Sequence, residues 1–166
     1  SGKTSDLFSC HRIDLDFIWA NSNSTIKSSL PAQGSFNYYF PLCPHGVRGV
    51  NAYHNITYTN VYNNIDVAVH GANDVGLKYD IIVNHGGKVN DIQLKYSGAD
   101  NISLENGTLN ISYVIGDMNE YMPRIYQLIN GTVHDIKGRY HLSSTLTNNS
   151  PVRGEKLSDA VISFEI

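Results

Sequence analysis

An all-β fold, an antiparallel β-sandwich-like domain with about twelve short strands and little helix, is what this sequence predicts. Three observations carry the prediction. Apolar and polar residues alternate with period two along most of the chain, which sends the two sets to opposite faces of a pleated strand. Gly, Asn, Asp and Ser cluster between the alternating runs, and these are the residues that tight turns require. A helical stripe of apolar residues is missing, and only residues 117–122 suggest a helical turn.

Taken in order, "RIDLDFIW" puts Ile13, Leu15, Phe17 and Trp19 on one face with Asp14 and Asp16 opposite. "SFNYYF" repeats the pattern with Phe36, Tyr38 and Phe40, and "HNITYTNV" sets Ile56 and Tyr58 on one side. In "IDVAVHG", Ile65, Val67 and Val69 alternate with Asp66, Ala68 and His70. "GANDVG" has the composition of a hairpin turn and leads into "LKYDIIV", with Leu77, Tyr79, Ile81 and Val83 aligned. Beyond it, "DIQLKYSG", "NISLENG", "GTLNISYVIG", "PRIYQLING", "GRYHLSS" and "DAVISFEI" read as short strands divided by Gly-containing turns.

A chain of 166 residues suits one domain, because at that size roughly two-thirds of the extended surface is buried on folding. The expectation is a single β-rich domain over residues 1–166, with 1–9 as a linker-like edge and 143–159 as a mobile surface loop. Twelve basic against fifteen acidic residues lack the cationic footprint of nucleic-acid or anionic-membrane binding. No stretch approaches the ~20 apolar residues of a membrane span, and no basic-then-apolar segment opens the chain, so membrane insertion is not expected and any secretion signal is already removed. The two cysteines, Cys10 and Cys43, fit one disulfide in an oxidising compartment or two unrelated buried thiols.

Catalytic chemistry finds little support. Asp66 and Asp80 fall opposite the apolar faces of their strands, which suits solvated or turn-anchoring carboxylates; a general acid–base pair needs a cleft and shifted pKa values. The seven His do not form the i, i+4 helical pair of a zincin. Asp100, Asn101, Glu105 and Asn106 offer hard oxygen donors without the spacing of an EF-hand loop. Nucleophile-elbow, phosphate-loop and dinucleotide motifs are absent from the sequence, so neither a catalytic residue, a metal nor a cofactor is expected. Asn-x-Ser/Thr sequons occur at Asn23, Asn55, Asn101, Asn106, Asn110, Asn130 and Asn148; they are glycan acceptors in a eukaryotic secreted protein and a by-product of Asn, Ser and Thr usage in a bacterial one. Eleven Tyr raise a further reading, a sugar-binding surface on which rings stack, with Tyr38, Tyr39 and Tyr53 as contacts, although Tyr is also a good strand former.

The runs "HRIDLDFIWANSNSTI", "LPAQGSFNYYF", "YHNITYTNVYNNIDVAVHG", "LKYDIIVNHGG", "IQLKYSGADNISLENGTLNIS", "EYMPRIYQ" and "VHDIKGRYHL" together resemble one family. It is the domain of unknown function found N-terminal to SBBP (beta-propeller-type) repeats, PKD-like modules and sorting domains in large bacterial surface and gliding-motility-associated proteins. The likeness covers about residues 11–142. Its most specific piece places Val61, Tyr62, Ile65, Asp66, Gly71, Leu77, Tyr79 and Asp80 on the family motif; Gly98, Ala99 and Asp100 match its glycine-alanine turn, and Glu120, Pro123, Tyr126 and Gln127 its later signature. The resemblance implies scaffold roles: Gly for positive φ, Pro at a strand entrance, Glu or Gln satisfying backbone donors. Asn63 and Asn64 stand where the family has Pro-Gly, and Asn also tolerates the left-handed region. His70 replaces a common Tyr, "NHGG" replaces a Pro-Gly-Ala turn, and strands the family usually places earlier are missing, which suggests a shortened or diverged member.

The resulting expectation is a non-catalytic structural or adhesion-type module of a secreted, cell-surface protein. Its partners are neighbouring domains of the same polypeptide and possible surface glycans or proteins. A carbohydrate-binding module using surface Tyr and Trp19 is the alternative, and a hydrolase using Asp66, Asp80 or Glu120 the third.

Overall fold

The computed structural model describes residues 10–72, 76–143 and 157–166. They form thirteen strands and a single 3-10 turn, Val89–Asp91, and every strand pairing is antiparallel. The all-β class is therefore as the alternation predicts. In chain order the strands are β1 (Asp14–Phe17), β2 (Thr25–Phe40), β3 (Cys43–Tyr62), β4 (Ile65–Ala72), β5 (Gly76–Val83), β6 (Gln93–Ser97) and β7 (Asn101–Glu105). Then follow β8 (Thr108–Tyr113), β9 (Gly116–Tyr121), β10 (Ile125–Ile129), β11 (Thr132–Ile136), β12 (Arg139–Ser143) and β13 (Ala160–Glu165). The expected helical turn at 117–122 is instead the strand β9. Most of the proposed mobile loop, and the edge segment 1–9, lie outside the described residues, as does the centre of the "GANDVG" turn.

Contacts group the chain into two compact units. One is Trp19–Lys88; the other combines Ser1–Ile18 with Val89–Ile166. The second holds a four-stranded sheet in the order β1-β6-β13-β12, a three-stranded sheet β7-β8-β9 and the hairpin β10-β11. Its core follows from period-two alternation. Leu94 and Tyr96 on β6 are buried and separated by the half-buried Lys95, and Leu94 lies opposite Ile162 of β13. On the other sheet Ile102 pairs with Ile111, and Leu109 lies two residues along on the same face; all of these are sealed from water. Each such side chain contributes about 1.5–3 kcal/mol by leaving water. Tyr140 and Phe164, directly opposite on β12 and β13, meet with ring centroids 5.5 Å apart.

Turn chemistry fixes the registers of the short hairpins. Asn106-Gly107 links β7 to β8 and Asn130-Gly131 links β10 to β11, with φ of 51° and 79° in both turns. Paired positive φ values are what a two-residue hairpin matched to strand twist requires, and Asn-Gly meets that need at least strain. Two of the sequons are therefore the turn pairs themselves.

The unit Trp19–Lys88 is one sheet in the order β2-β3-β4-β5. Its first two strands run 16 and 20 residues, longer than the short strands expected. Register aligns Ile26, Tyr58, Val67 and Ile81 across the four strands, with Ile56, Val69 and Tyr79 in the neighbouring row. The opposite face carries Thr25, Thr59, Thr57, Asp80, His70 and Lys78, including a 2.6 Å hydrogen bond between the Thr25 and Thr59 hydroxyls. Burial concentrates at Val61, Tyr62, Ile65, Val67 and Ala68, while the distal part of the long hairpin is exposed. Trp19 does not extend the face of Leu15 and Phe17 as expected. The strand stops at Phe17, and Trp19 turns with φ 60° and stands 77% exposed.

Candidate functional site

Two arrangements warrant description: the polar corner built from the motif around Asp66, and the aromatic surface of the β2–β3 hairpin. At the corner, β3 ends in a register irregularity between Tyr58 and Tyr62 where Asn60 adopts φ 57°. The displaced N–H of Asn60 donates to Asp66 Oδ1 at 2.7 Å, and Asn84 Nδ2 donates to Asp66 Oδ2 at 3.1 Å. Asn63 and Asn64 form the turn into β4, with Asn64 at φ 59°. The Asn64 carbonyl accepts the Asn84 N–H at 2.9 Å. A Cβ on Gly87 would meet that same carbonyl at 2.8 Å, so the "NHGG" turn needs its second glycine for a close backbone approach. Asp66 thus binds a bulge and a turn to one strand.

Asp80 is placed differently. Ala68 pairs with Asp80 and Asp66 with Ile82, so the two carboxylates are diagonal neighbours on the polar face. Asp80 meets His70 Nε2 at 3.1 Å, both side chains partly in water, an exposed pair of the kind that contributes little to stability. Glu120, on β9 of the other unit, accepts the hydroxyls of Tyr96 and Tyr140, the latter at 3.1 Å. Tyr140 also reaches the carbonyl of Tyr121 at 3.2 Å. The carboxylate therefore ties the strands β6 and β12 of one sheet to β9 of the next.

The remaining motif residues divide. Val61, Tyr62 and Ile65 are core. Gly98 has φ 89°, and a Cβ there would meet the Arg12 carbonyl at 2.7 Å; its own carbonyl faces His11 Nε2 at 2.7 Å. Buried Ala99 donates to Ser158 O at 3.2 Å, and Asp100 N–H to Ser112 O at 2.8 Å. Pro123 stands just ahead of β10. Tyr126 lies under Arg124 at 5.4 Å, and Gln127 pairs with His134 along the ladder. Leu77 is exposed, Tyr79 half-buried, and nothing in the structure explains glycine at position 71, where an added Cβ meets nothing within 4 Å.

On the hairpin, Tyr38 and Phe40 are two residues apart on β2. Their rings are parallel to within 2° with centroids 6.3 Å apart, and both are exposed, as is Phe36; the half-buried face expected of "SFNYYF" is not formed. Tyr39 points to the other side, where Arg48 sits 5.8 Å from its ring centroid. Gly46, at φ 64°, lets that ring lie on the backbone: a Cβ there would meet Tyr39 Cδ1 at 2.7 Å. Tyr53 pairs with Pro31 farther along the ladder. The three tyrosines thus share a hairpin but not a single cluster.

Cys10 is exposed and Cys43 half-buried, both as free thiols. Among the described residues, no group of three or more His, Cys, Asp or Glu side chains is arranged to hold a metal ion. The donors Asp100 and Asn106 are set at opposite ends of β7. An open hollow of about 300 Å³ is lined by Asn90, Gln93, His141, Ser163, Phe164 and Glu165. Its carboxylate is engaged by Arg139 in two hydrogen bonds, 2.8 and 2.7 Å. Hydrogen bonding by Arg139 holds the Glu165 carboxyl below its ordinary pKa and is matched by a raised Arg139. Arg124 depresses Asp135 in the same way across β10–β11. Among the described residues, no helix is long and apolar enough to cross a membrane.

The model of one protein family, a domain of unknown function designated DUF7948, matches residues 1–164. No curated protein and no solved structure matches the chain.

Proposed function

Since this chain belongs to the DUF7948 family, we propose that it is a non-catalytic structural or adhesion-type module of a large secreted cell-surface protein, set beside SBBP-type repeats as the sequence resemblance implies. The observation that carries the reading is the β2–β3 hairpin, whose side chains Phe36, Tyr38, Phe40 and Leu42 stand in water, the last 99% exposed. Exposed apolar side chains gathered on one hairpin, two of them with stacked rings, suit an interaction site. It suits neighbouring domains of the same polypeptide and extracellular surface partners. The carboxylates that a hydrolase would use support the same view, because Asp66 and Glu120 accept hydrogen bonds that hold strands and turns together.

A photo-crosslinking side chain introduced at Leu42 of the full-length secreted protein tests this. Crosslinks to neighbouring modules or to a surface protein are expected. An uncrosslinked hairpin, together with an activity abolished by Asp66→Asn, would remove the proposal.

The parallel Tyr38 and Phe40 rings favour one alternative, a carbohydrate-binding surface. Stacking on sugar faces predicts that glycan-array binding disappears in Tyr38→Ala while the unfolding midpoint stays put. An array with no binding ends that alternative.

A further inference from the structure

The two edges of the β2-β3-β4-β5 sheet differ in how they meet water. The β2 edge is interrupted: it contains Pro31, left-handed Leu30 and Gly34, and three register irregularities against β3. Such devices stop an edge from templating another strand. On the β5 edge the left-handed residue is Gly76 (φ 88°), at the very first position of the strand, and from Leu77 to Val83 neither a proline, a left-handed residue nor a register shift interrupts it. Its eight residues pair one-to-one with β4 from Ile65↔Val83 to Ala72↔Gly76 without a shift, and among the described residues β4 is its sole neighbour in the sheet. Leu77, 77% exposed, and Ile82 and Val83 stand in water along it.

The sequence of β5 is also self-complementary. An antiparallel copy with Tyr79 opposite Tyr79 places Lys78 opposite Asp80 and, by the two-fold axis, Asp80 opposite Lys78. It sets Leu77 against Ile81 on the apolar face. Side chains directly opposite share a face, so only shifts by two residues keep the apolar and polar faces aligned. Those shifts put Lys78 against Lys78 or Asp80 against Asp80, and like charges directly opposite are destabilising. Asp80 keeps most of its surface in water beside His70, so its outer side can accept the lysine.

We infer that β5 is a homodimer contact through which two copies of this chain join their sheets edge to edge, in the register that pairs Lys78 with Asp80 twice. The interface is isologous, as a two-fold requires. Main-chain hydrogen bonds supply affinity, and the crossed charges select the register.

Charge reversal tests it. In sedimentation velocity the wild-type chain is expected to show a concentration-dependent monomer–dimer equilibrium. Lys78→Asp turns both crossed pairs into carboxylate pairs and should weaken dimerisation about tenfold. The double variant Lys78→Asp/Asp80→Lys should restore it, with circular dichroism unchanged throughout. Independently, Tyr79→Cys in a Cys10→Ser/Cys43→Ser background should form a disulfide-linked dimer under mild oxidation, and Lys78→Cys in that background should not. A wild-type chain that stays monomeric, a dimer indifferent to Lys78→Asp, a double variant that does not recover, or equal crosslinking at both positions overturns the inference.

Discussion

The unit built from Ser1–Ile18 and Val89–Ile166 and the unit Trp19–Lys88 follow the same alternating code but seal different shares of it from water. In the first, Leu94, Leu109 and Ile111 are 0% exposed. In the second, Ile65 is equally sealed, but Ile26 and Leu77 occupy strand positions of the same kind and stand largely in water. Alternation assigns a side chain to a face; whether anything covers that face is a separate matter. A core residue and an interaction residue can therefore carry the same sequence signal.

Truncation at matched positions breaks the comparison most sharply. Leu94→Ala empties a sealed site between strands and should cost ~2–5 kcal/mol in denaturant unfolding, whereas Ile26→Ala should stay within about 0.5 kcal/mol. Equal losses would mean that the exposed face is covered in solution. Glu120→Ala comes next. It removes the carboxylate that accepts the hydroxyls of Tyr96 and Tyr140 in a part-buried setting, at about 1–3 kcal/mol. A neutral outcome in the same assay would show that the carboxylate is not what joins these sheets. At the corner of the other unit, Asp66→Ala removes the acceptor for Asn60 N–H and Asn84 Nδ2. A loss of about 1 kcal/mol is expected, with faster hydrogen exchange confined to Asn60 and Asn84.

The smallest effect is electrostatic. Asp135 and Glu165 have folded-state pKa values lowered by hydrogen bonding from Arg124 and Arg139. A depressed carboxyl stabilises the fold above its unfolded pKa and loses that contribution as pH falls through the folded value. Stability of the first unit should therefore decline on acidification below the ordinary carboxylate range, slightly and less so in high salt, because both pairs are exposed. Glu165→Gln should flatten part of that decline; an unchanged acid limb would show that the Arg139 pair contributes nothing.

Much of the corner at Asp66 was legible beforehand. Its place opposite Ile65 and Val67 reads directly from "IDVAV", and the αL tolerance of Asn carries the turn at Asn64. The partners of Asp66 were not legible. Asn60 and Asn84 reach it through a bulge and a turn, and bulges leave no period-two mark. The same holds for Glu120, whose tyrosines lie 24 and 20 residues away along the chain. Trp19 misled for a related reason, since alternation runs on through "DLDFIW" while the backbone turns at Trp19.

By itself the sequence determined that this chain is all-β, which residues share a face, and where Asn and Gly turn the strands. Those are local properties, set by backbone sterics and a two-residue period that adjacent residues fully specify. Only tertiary structure decided which faces are sealed, which edge is left regular and open, and which carboxylates hold strands together. Each of these depends on groups distant in sequence meeting in space, and no local pattern encodes such a meeting.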